Sequence, residues 1–177
     1  MQADIVIIGG GIIGTSVAYH LVREEGAGRI MVIERDPSYE HAATPRSNGG
    51  IRRLFSLPEN IEMASYGLAF YRDFATEMSE QDELADISFR RQGYLFISDT
   101  GNAAEMEQNF RLQESMGVEV ELLSPDALKK IYPSISITGV DLAVLSDHDG
   151  WVDPHAALLG FRRKARALGV SYVVAEV

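Results

Sequence analysis

Three glycines near the start of the chain are spaced as Gly9-x-Gly11-x-x-Gly14. A short apolar run rich in β-branched residues, Asp4–Ile8, precedes them and predicts a buried parallel strand. A helical pattern begins inside the motif, and a second apolar strand over 29–34 ends at Glu34, 20 residues beyond Gly14. Glycines between a strand and a helix, followed by an acidic residue at this distance, predict that the segment binds a dinucleotide.

Each position of the motif has a physical reason for its residue type. Gly9 permits a tight turn, Gly11 lets the backbone approach a pyrophosphate, and Gly14 lets the helix pack closely on the strand. The pyrophosphate then lies on N–H groups at the positive end of the helix, which here belong to Ile12 and Ile13. The acidic residue that ends the second strand accepts hydrogen bonds from the ribose hydroxyls. The alternative is an ordinary strand–helix–strand unit whose glycines serve packing only.

The composition excludes several classes of protein. The chain has 177 residues and no cysteine, which excludes disulfides, thiolate metal sites and a cysteine nucleophile. Its net charge of −10 makes it a poor partner for nucleic acid or an anionic membrane, because phosphates repel it. No segment approaches the ~20 apolar residues of a membrane span, and the first apolar run lacks the basic start of a signal peptide. We therefore expect a cytoplasmic protein.

The rest of the chain shows alternating helix and strand patterns. Residues 36–60 form a long loop rich in Pro, Ser, Asn and Gly, and loops of that length are usually functional or disordered. Helices are expected over 58–80, 102–116 and 154–168, with a short one capped by Ser124. Strands are expected in two parts of 86–98 and over 118–123, 141–145 and 170–174. The outer parts carry α/β signals, and the middle indicates an inserted α+β module.

Four stretches together resemble one family: DIVIIGGGIIGTSVAYHL, VIERD, ATPRSNGGIRRLFSLPENIEMA and DGWVDPHAALLGFRRKARALGVSY. This family is the D-amino-acid oxidase (DAO) superfamily of FAD-dependent amine oxidoreductases, which includes sarcosine oxidase, glycine oxidase and dimethylglycine dehydrogenase. The resemblance covers essentially the whole chain. It implies an α/β fold with a Rossmann-like FAD-binding domain of the glutathione-reductase type, formed by 1–85 and 149–177. An inserted α+β segment, 86–148, would belong to the substrate-binding domain, and the C-terminal half of the family fold would be missing.

The resemblance also implies which residues contact the cofactor, FAD. The adenosine end would be held by residues of the first and second strands and by the end of the last strand: Gly9, Gly11, Gly14, Glu34, Arg35 and Val177. The long loop would run under the pyrophosphate and the flavin, with contacts from Thr44, Arg46, Ser47, Asn48, Gly49 and Gly50. Arg52 follows that loop and would bind a substrate carboxylate, since a guanidinium fork matches carboxylate geometry. A structural ion pair or a pyrophosphate contact is the alternative for Arg52.

Noncovalent binding of FAD is expected. One branch of the family attaches the flavin through a histidine of this loop, and Arg46 occupies that position here. Another branch uses a cysteine, which this chain lacks. His41 lies close by, but its register does not match the attachment point.

The resemblance implies oxidation of the C–N bond of a small amine or amino acid, of the sarcosine, glycine or D-amino-acid type, with hydride transfer to the flavin. No catalytic acid or base is identified. The alternative is a non-catalytic FAD-binding fragment or subunit of a split flavoenzyme. An NAD-binding regulator is disfavoured by the long loop. Because an unfinished parallel sheet leaves an apolar edge, a partner chain or self-association is expected to complete it.

Two further clusters receive structural interpretations. The acidic and histidine residues over 147–155 do not follow the calcium-loop pattern, so we interpret them as a turn leading to a helix capped by Asp153, with no metal site. The basic run Arg162, Arg163, Lys164 and Arg166 is interpreted as a solvated helix end, where cations suit the helix dipole.

Overall fold

The structure is a computed structural model that describes residues 2–80, 84–99 and 101–177. The strands in chain order are β1 Ile5–Ile8, β2 Ile30–Glu34, β3 Gly50–Ile51, β4 Arg90–Arg91, β5 Tyr94–Asp99, β6 Glu121–Leu123, β7 Val140–Ser146, β8 Gly150–Trp151 and β9 Ser171–Val174. The helices are α1 Ile12–Val22, α2 Pro58–Arg72, α3 Phe74–Met78, α4 Ala103–Ser115, α5 Pro125–Ile131 and α6 Pro154–Ala167. Among the described residues, no helix is both long and apolar enough to cross a bilayer.

The chain divides into two units. The first contains Met1–Gly49, Asp73–Ser88 and Val152–Val177, and the second contains Gly50–Arg72 and Phe89–Trp151. The sequence-based division placed 50–72 with residues 1–85, whereas here Gly50–Arg72 lies in the second unit, and residues 86–88 and 149–151 also change unit. The inserted α+β module of the sequence analysis corresponds to the rest of the second unit.

A parallel sheet with the order β1-β2-β9 forms the centre of the first unit. Its side chains alternate in burial: Ile30 and Val32 are fully packed, whereas Val6 and Ile8 are 51% and 69% exposed. Helices α1 and α6 pack together and bury Ala18, Leu158 and Phe161 among other apolar side chains. One set of apolar side chains of the sheet, including Val6 and Ile8, therefore remains exposed. Self-association stays a prediction.

The second unit contains two small antiparallel sheets, with the orders β5-β7-β6 and β3-β8-β4. Leu123, Leu128 and Ala143 form the core between α5 and the first of these sheets. In the second sheet, β8 pairs with both β3 and β4. The pairing with β8 fixes the backbone of β3, which directly precedes Arg52.

Most helices and strands lie where the local sequence pattern predicts them. Two predicted elements differ from the structure, and each difference has a physical reason. The predicted helix 58–80 is two helices, because Asp73 leaves the helical conformation and becomes the N-cap of α3. Phe74 and Met78 are then buried in the first unit, and Phe74 meets Phe161 edge to face at 5.4 Å. The strand expected over 118–123 forms only at its end, because the Val118 N–H is bonded to the Gln113 carbonyl after α4.

Two predicted helix caps are confirmed. The Ser124 side chain accepts a hydrogen bond from the Ala127 N–H at the start of α5. The Asp153 carboxylate accepts hydrogen bonds from the His155 and Ala156 N–H groups at the start of α6, where Pro154 takes the first helical position. Both caps are short-range features that the sequence alone specifies.

Candidate dinucleotide-binding site

The glycine turn joins β1 to α1 in the first unit. Gly9 has a φ of +95°, a left-handed conformation that favours glycine, and its N–H donates to the Ile33 carbonyl at 2.8 Å. A Cβ on Gly14 would collide with the Gly9 carbonyl, so this position admits only glycine without a backbone shift. A Cβ on Gly11 would meet the Thr44 Oγ1 at 3.7 Å, an ordinary contact. Protein packing therefore requires Gly14, while the reason for Gly11 lies outside the chain's own packing.

Glu34 is held against this turn at the end of β2. Its Oε2 accepts a hydrogen bond from the Gly10 N–H at 2.7 Å, and its Oε1 accepts one from the Asp36 N–H at 2.9 Å. A carboxylate has about four acceptor sites, so each oxygen retains one for a further donor. The carboxylate is thus oriented by backbone groups and is able to accept from a hydroxyl of a bound nucleotide.

A cavity of about 680 Å³ lies at the carboxyl ends of β1, β2 and β9. Parallel α/β sheets bind their ligands at this edge, and the volume is within the usual range for a small-molecule site. Four of the residues predicted to contact the cofactor line it together: Gly9, Glu34, Arg35 and Val177. Arg35 is exposed there and lies 3.9 Å from the Glu176 carboxylate.

The loop after β2 reaches the start of α1 through one side chain. The Thr44 Oγ1 accepts a hydrogen bond from the Ile12 N–H at 3.2 Å, at the helix end predicted to bind the pyrophosphate. Further along, the Ser47 Oγ accepts from the Gly49 N–H at 3.1 Å, and Gly49 has a φ of +69°. The remaining predicted contacts of the loop, Arg46, Ser47 and Asn48, are exposed. Among the residues that the structure describes, the predicted contacts in 11–14 and 44–49 do not line the cavity.

His41 and Arg46 lie next to each other in the loop. The Arg46 Nη2 is 3.0 Å from the His41 Nδ1, and His41 lines the cavity. His41 therefore faces the nucleotide site. Its contact with Arg46 occupies one of its two ring nitrogens.

Two residues that support this site were missed by sequence reasoning. Gly10 packs tightly, because a Cβ there would lie 3.0 Å from the Glu34 Cβ and 3.3 Å from the Tyr39 hydroxyl. Tyr39 is buried beside them with a φ of +58°, and burial raises the pKa of its hydroxyl. The run of three consecutive glycines was the available signal for Gly10, whereas nothing in the local pattern marked Tyr39.

The structure contradicts part of the prediction that the basic residues of α6 form a solvated helix end. Arg162 lies 5.4 Å from the Tyr39 ring centroid and 5.6 Å from that of Tyr172, and its Nε is buried. Lys164 pairs with the Glu80 carboxylate at 2.5 Å. The prediction of a solvated helix end is therefore wrong for these two side chains, because aromatic rings and a carboxylate of the same unit pack against them.

Gly50 and Arg52 belong to the second unit. A Cβ on Gly50 would collide with the Tyr94 hydroxyl, so a larger residue there would need the Tyr94 side chain to move. The Arg52 guanidinium lies 5.1 Å from the Phe55 ring centroid and 5.7 Å from that of Phe96, and 5.9 Å from the Tyr94 ring. Its Nε is buried without a hydrogen bond.

The neighbouring arginine has a different role. The Arg53 Nε lies 2.9 Å from the Asp149 Oδ1, and the Arg53 N–H donates to the Asp149 Oδ2 at 2.9 Å. Asp149 is fully buried, so this is an internal ion pair. The structural pair proposed as the alternative for Arg52 is thus made by Arg53.

The acidic and histidine residues over 147–155 have separate roles. Asp149 pairs with Arg53, Asp153 caps α6, and the His148 Nδ1 lies 3.2 Å from a Glu119 oxygen. Within the described ranges, no group of three or more His, Asp or Glu side chains is arranged to hold a metal ion.

The geometry of the first unit fits FAD. The unit offers a left-handed glycine turn, a carboxylate held by backbone N–H groups at the cavity wall, a helix N-terminus after the turn and a cavity bounded by the ends of three parallel strands. These are the groups that recognise the adenosine and pyrophosphate of a dinucleotide.

Comparisons with known proteins agree with this geometry. "FAD-dependent oxidoreductase domain-containing protein 1" of Xenopus laevis is 43% identical over 99% of this chain, which spans 36% of that protein. The 4-methylaminobutanoate oxidase (formaldehyde-forming) of Paenarthrobacter nicotinovorans is 31% identical over 93% of this chain and 19% of its own length. This chain therefore spans well under half the length of these relatives.

The fold also matches a solved structure. L-proline dehydrogenase from P. horikoshii superposes with a TM-score of 0.79 at 28% identity, covering 97% of this chain and 44% of that one. The model of the FAD dependent oxidoreductase (DAO) family matches residues 4–177, and FAD is the cofactor that this match indicates. The chain belongs to the DAO family of FAD-dependent oxidoreductases.

Proposed function

We propose that the protein acts in the oxidation of a C–N bond of a small amine or amino acid. The observation that carries this proposal is the nucleotide site of the first unit, in which Glu34 and the glycine turn border a 680 Å³ cavity, in a chain that belongs to the DAO family. When bound, FAD supplies the acceptor for the hydride that leaves the substrate carbon.

The chain's own residues account for cofactor binding. Glu34 would accept hydrogen bonds from the ribose, and the Ile13 N–H would face the pyrophosphate at the start of α1, since the Ile12 N–H already donates to the Thr44 Oγ1. Thr44 orients this helix end, because its Oγ1 is already bonded to the Ile12 N–H and its hydroxyl hydrogen is able to donate to a phosphate oxygen. We propose noncovalent binding, since Arg46 stands where a histidine would be needed and the chain has no cysteine.

Arg52 supports an amine substrate that also carries a carboxylate. Its guanidinium is stacked on aromatic rings, and its Nε is buried without a partner. A substrate carboxylate would supply the missing acceptor. The names of two relatives, 4-methylaminobutanoate oxidase and L-proline dehydrogenase, describe enzymes for acids that contain a secondary amine. A secondary amine with a carboxylate is therefore the substrate class that we propose for this protein.

The first test is the visible absorption spectrum of the purified chain, recorded before and after denaturation. We expect a flavin band that separates with the small molecules, as noncovalent FAD requires. Gly14→Ala should lose the band, because its Cβ would collide with the Gly9 carbonyl. Gly67→Ala is the matched control, since a Cβ at this helical glycine meets nothing within 4 Å. A colourless wild-type chain that does not bind added FAD would contradict the proposal.

The second test is turnover of N-methyl amino acids by the flavin-containing chain. We expect Arg52→Met to raise KM for substrates with a carboxylate far more than for the corresponding amines without one. A chain that binds FAD but oxidises none of these substrates would favour the alternative function, a flavin-binding unit that is not catalytic alone. The two tests therefore separate cofactor binding from catalysis.

A further inference from the structure

Tyr39 is the one buried residue of the segment 35–41, which follows β2. Only 1% of its surface is exposed. Its φ of +58° lies in the left-handed region, which a bulky side chain rarely adopts. A backbone strained in this way persists only where its surroundings hold it, and such residues cluster at ligand sites. The contacts of Tyr39 therefore show what keeps it in this conformation.

The Tyr39 backbone is bonded on both sides to the wall of the nucleotide cavity. Its N–H donates to the Asp36 carbonyl at 3.0 Å, and its carbonyl accepts from the Ala42 N–H at 3.0 Å. Asp36 and Ala42 both line the cavity, as does His41 between Tyr39 and Ala42. The Asp36 N–H in turn donates to the Glu34 Oε1. A shift of the Tyr39 backbone would therefore displace this wall.

The Tyr39 side chain packs against the glycine turn. Its hydroxyl oxygen lies 3.3 Å from the position that a Cβ on Gly10 would occupy, and the Glu34 Cβ lies 3.0 Å from the same position. The Gly10 N–H is the group that donates to the Glu34 Oε2. The Tyr39 hydroxyl is buried and makes no hydrogen bond, so this side chain acts on the turn through packing.

One side chain of α6 holds the Tyr39 ring. The Arg162 guanidinium carbon lies 5.4 Å from the Tyr39 ring centroid and 5.6 Å from that of Tyr172 in β9. The Arg162 Nη1 donates to the Pro37 carbonyl at 3.4 Å. A cation near the faces of aromatic rings is attracted by them, and more strongly where water is excluded. Arg162 thus links α6 and β9 to the segment that forms the cavity wall.

We propose that Tyr39 is a positioning residue for the adenosine end of FAD, and that Arg162 holds it in place. Neither side chain lines the cavity, so both act through residues that do. Tyr39 keeps the wall 36–42 in shape and Gly10 beside Glu34 before the cofactor binds. A preformed wall lowers the entropy that binding costs, because the segment is already ordered. The proposal rests on the proposed FAD site of the first unit.

Titrations of the full chain with FAD and with ADP, the adenosine diphosphate part of FAD, test the proposal. Tyr39→Gly removes the ring and introduces a residue that adopts a φ of +58° without strain, so a loss of affinity reports on the ring. We expect it to weaken the binding of both ligands about tenfold. Tyr39→Phe keeps the ring and should bind both ligands as wild type does, because the hydroxyl has no partner.

Arg162→Met is the milder variant, since Arg162 is only half-buried. It removes the attraction to the Tyr39 ring and should weaken the binding of both ligands about threefold. Arg166→Met makes the same change at an exposed position of α6 and should leave both affinities unchanged. Because Arg162 acts through Tyr39, adding Arg162→Met to Tyr39→Gly should cause no further loss.

The affinities are measured without denaturant, where the variants are folded, and urea midpoints are recorded beside them. A role in stability alone would lower the midpoint of Arg162→Met and leave its affinities at those of Arg166→Met, which would overturn the proposal. If Tyr39→Gly fails to fold, this comparison decides. Wild-type binding of ADP without FAD would contradict the proposed function, and the ADP affinities of the variants would still test Tyr39 and Arg162. Binding of neither ligand would overturn both.

Discussion

Replacing Asp149 with asparagine should destabilise the second unit strongly. Asp149 is fully buried, and its two oxygens accept from the Arg53 Nε and the Arg53 N–H, both at 2.9 Å. The asparagine side chain would keep one acceptor oxygen and present an NH2 group to a guanidinium or to a backbone N–H. The Arg53 charge, on a side chain that is 10% exposed, would then remain buried without a counter-ion.

The expected size of the effect follows from this burial. Removing one partner of a buried ion pair costs about 3–5 kcal/mol, because the other charge is left uncompensated. Folded domains have about 5–15 kcal/mol of stability in total, so the loss is a large fraction of it. Asp147→Asn is the matched control, since Asp147 pairs with Arg91 on the surface, with side chains 62% and 50% exposed. Such surface pairs contribute about 0–1 kcal/mol.

The fluorescence of Trp151 is a suitable assay. It is the one tryptophan of the chain and lies in β8, two residues from Asp149 and within the same unit. In urea denaturation, a slope of about 1–3 kcal/mol per molar converts the expected loss into a midpoint lower by about 1 M or more. The Asp147→Asn midpoint should stay within a few tenths of a molar of wild type.

Two results would refute this reasoning. One is an Asp149→Asn midpoint equal to that of Asp147→Asn, which would mean that the buried pair contributes no more than the surface pair. The other is a double variant, Arg53→Met with Asp149→Leu, that is no more stable than either single variant. Replacing both charges by apolar groups should recover much of the loss, because no unpaired charge then remains buried.

Two further predictions concern the first unit. The hydrogen bond from the Arg29 side chain lowers the pKa of Asp4 from 3.8 to about 2. The ionised carboxylate therefore stabilises the folded chain fully above about pH 4, and this stabilisation is lost as the pH falls through about 2. The stability difference between wild type and Asp4→Asn should therefore narrow between pH 4 and 2, and a constant difference in pH-dependent urea unfolding would contradict this. Glu34→Gln should weaken FAD binding about tenfold in fluorescence titrations, because one oxygen that accepts a backbone N–H becomes a donor. Glu40→Gln, at an exposed position of the same segment, should bind FAD as wild type does.

The sequence alone determined the features that depend on near neighbours along the chain. The strand before Gly9, the helix after it and the carboxylate at Glu34 follow from a pattern that spans little more than 30 residues. The caps at Ser124 and Asp153 depend on bonds to N–H groups two or three residues away. Family resemblance added FAD as the cofactor, and the family match agrees with it.

Other features depend on packing between distant segments. The hydrogen bonds between Arg53 and Asp149 join residues 96 positions apart, so no local pattern shows which of the two adjacent arginines is paired. Gly50 lies directly against the Tyr94 hydroxyl, a neighbour only in the folded unit. The break at Asp73 interrupts a helical periodicity that runs on without a gap in the sequence, and it falls at the boundary between the two units.

The burial of Gln113 is a further feature that no local sequence pattern predicts. In the sequence it is one polar residue of an ordinary helix, and only the fold buries it with its Oε1 unpaired at the wall of a cavity. Sequence periodicity and capping report the conformation of the chain over one or two turns. The partner of a buried polar atom is decided by tertiary packing, where segments far apart in the sequence come within hydrogen-bond distance.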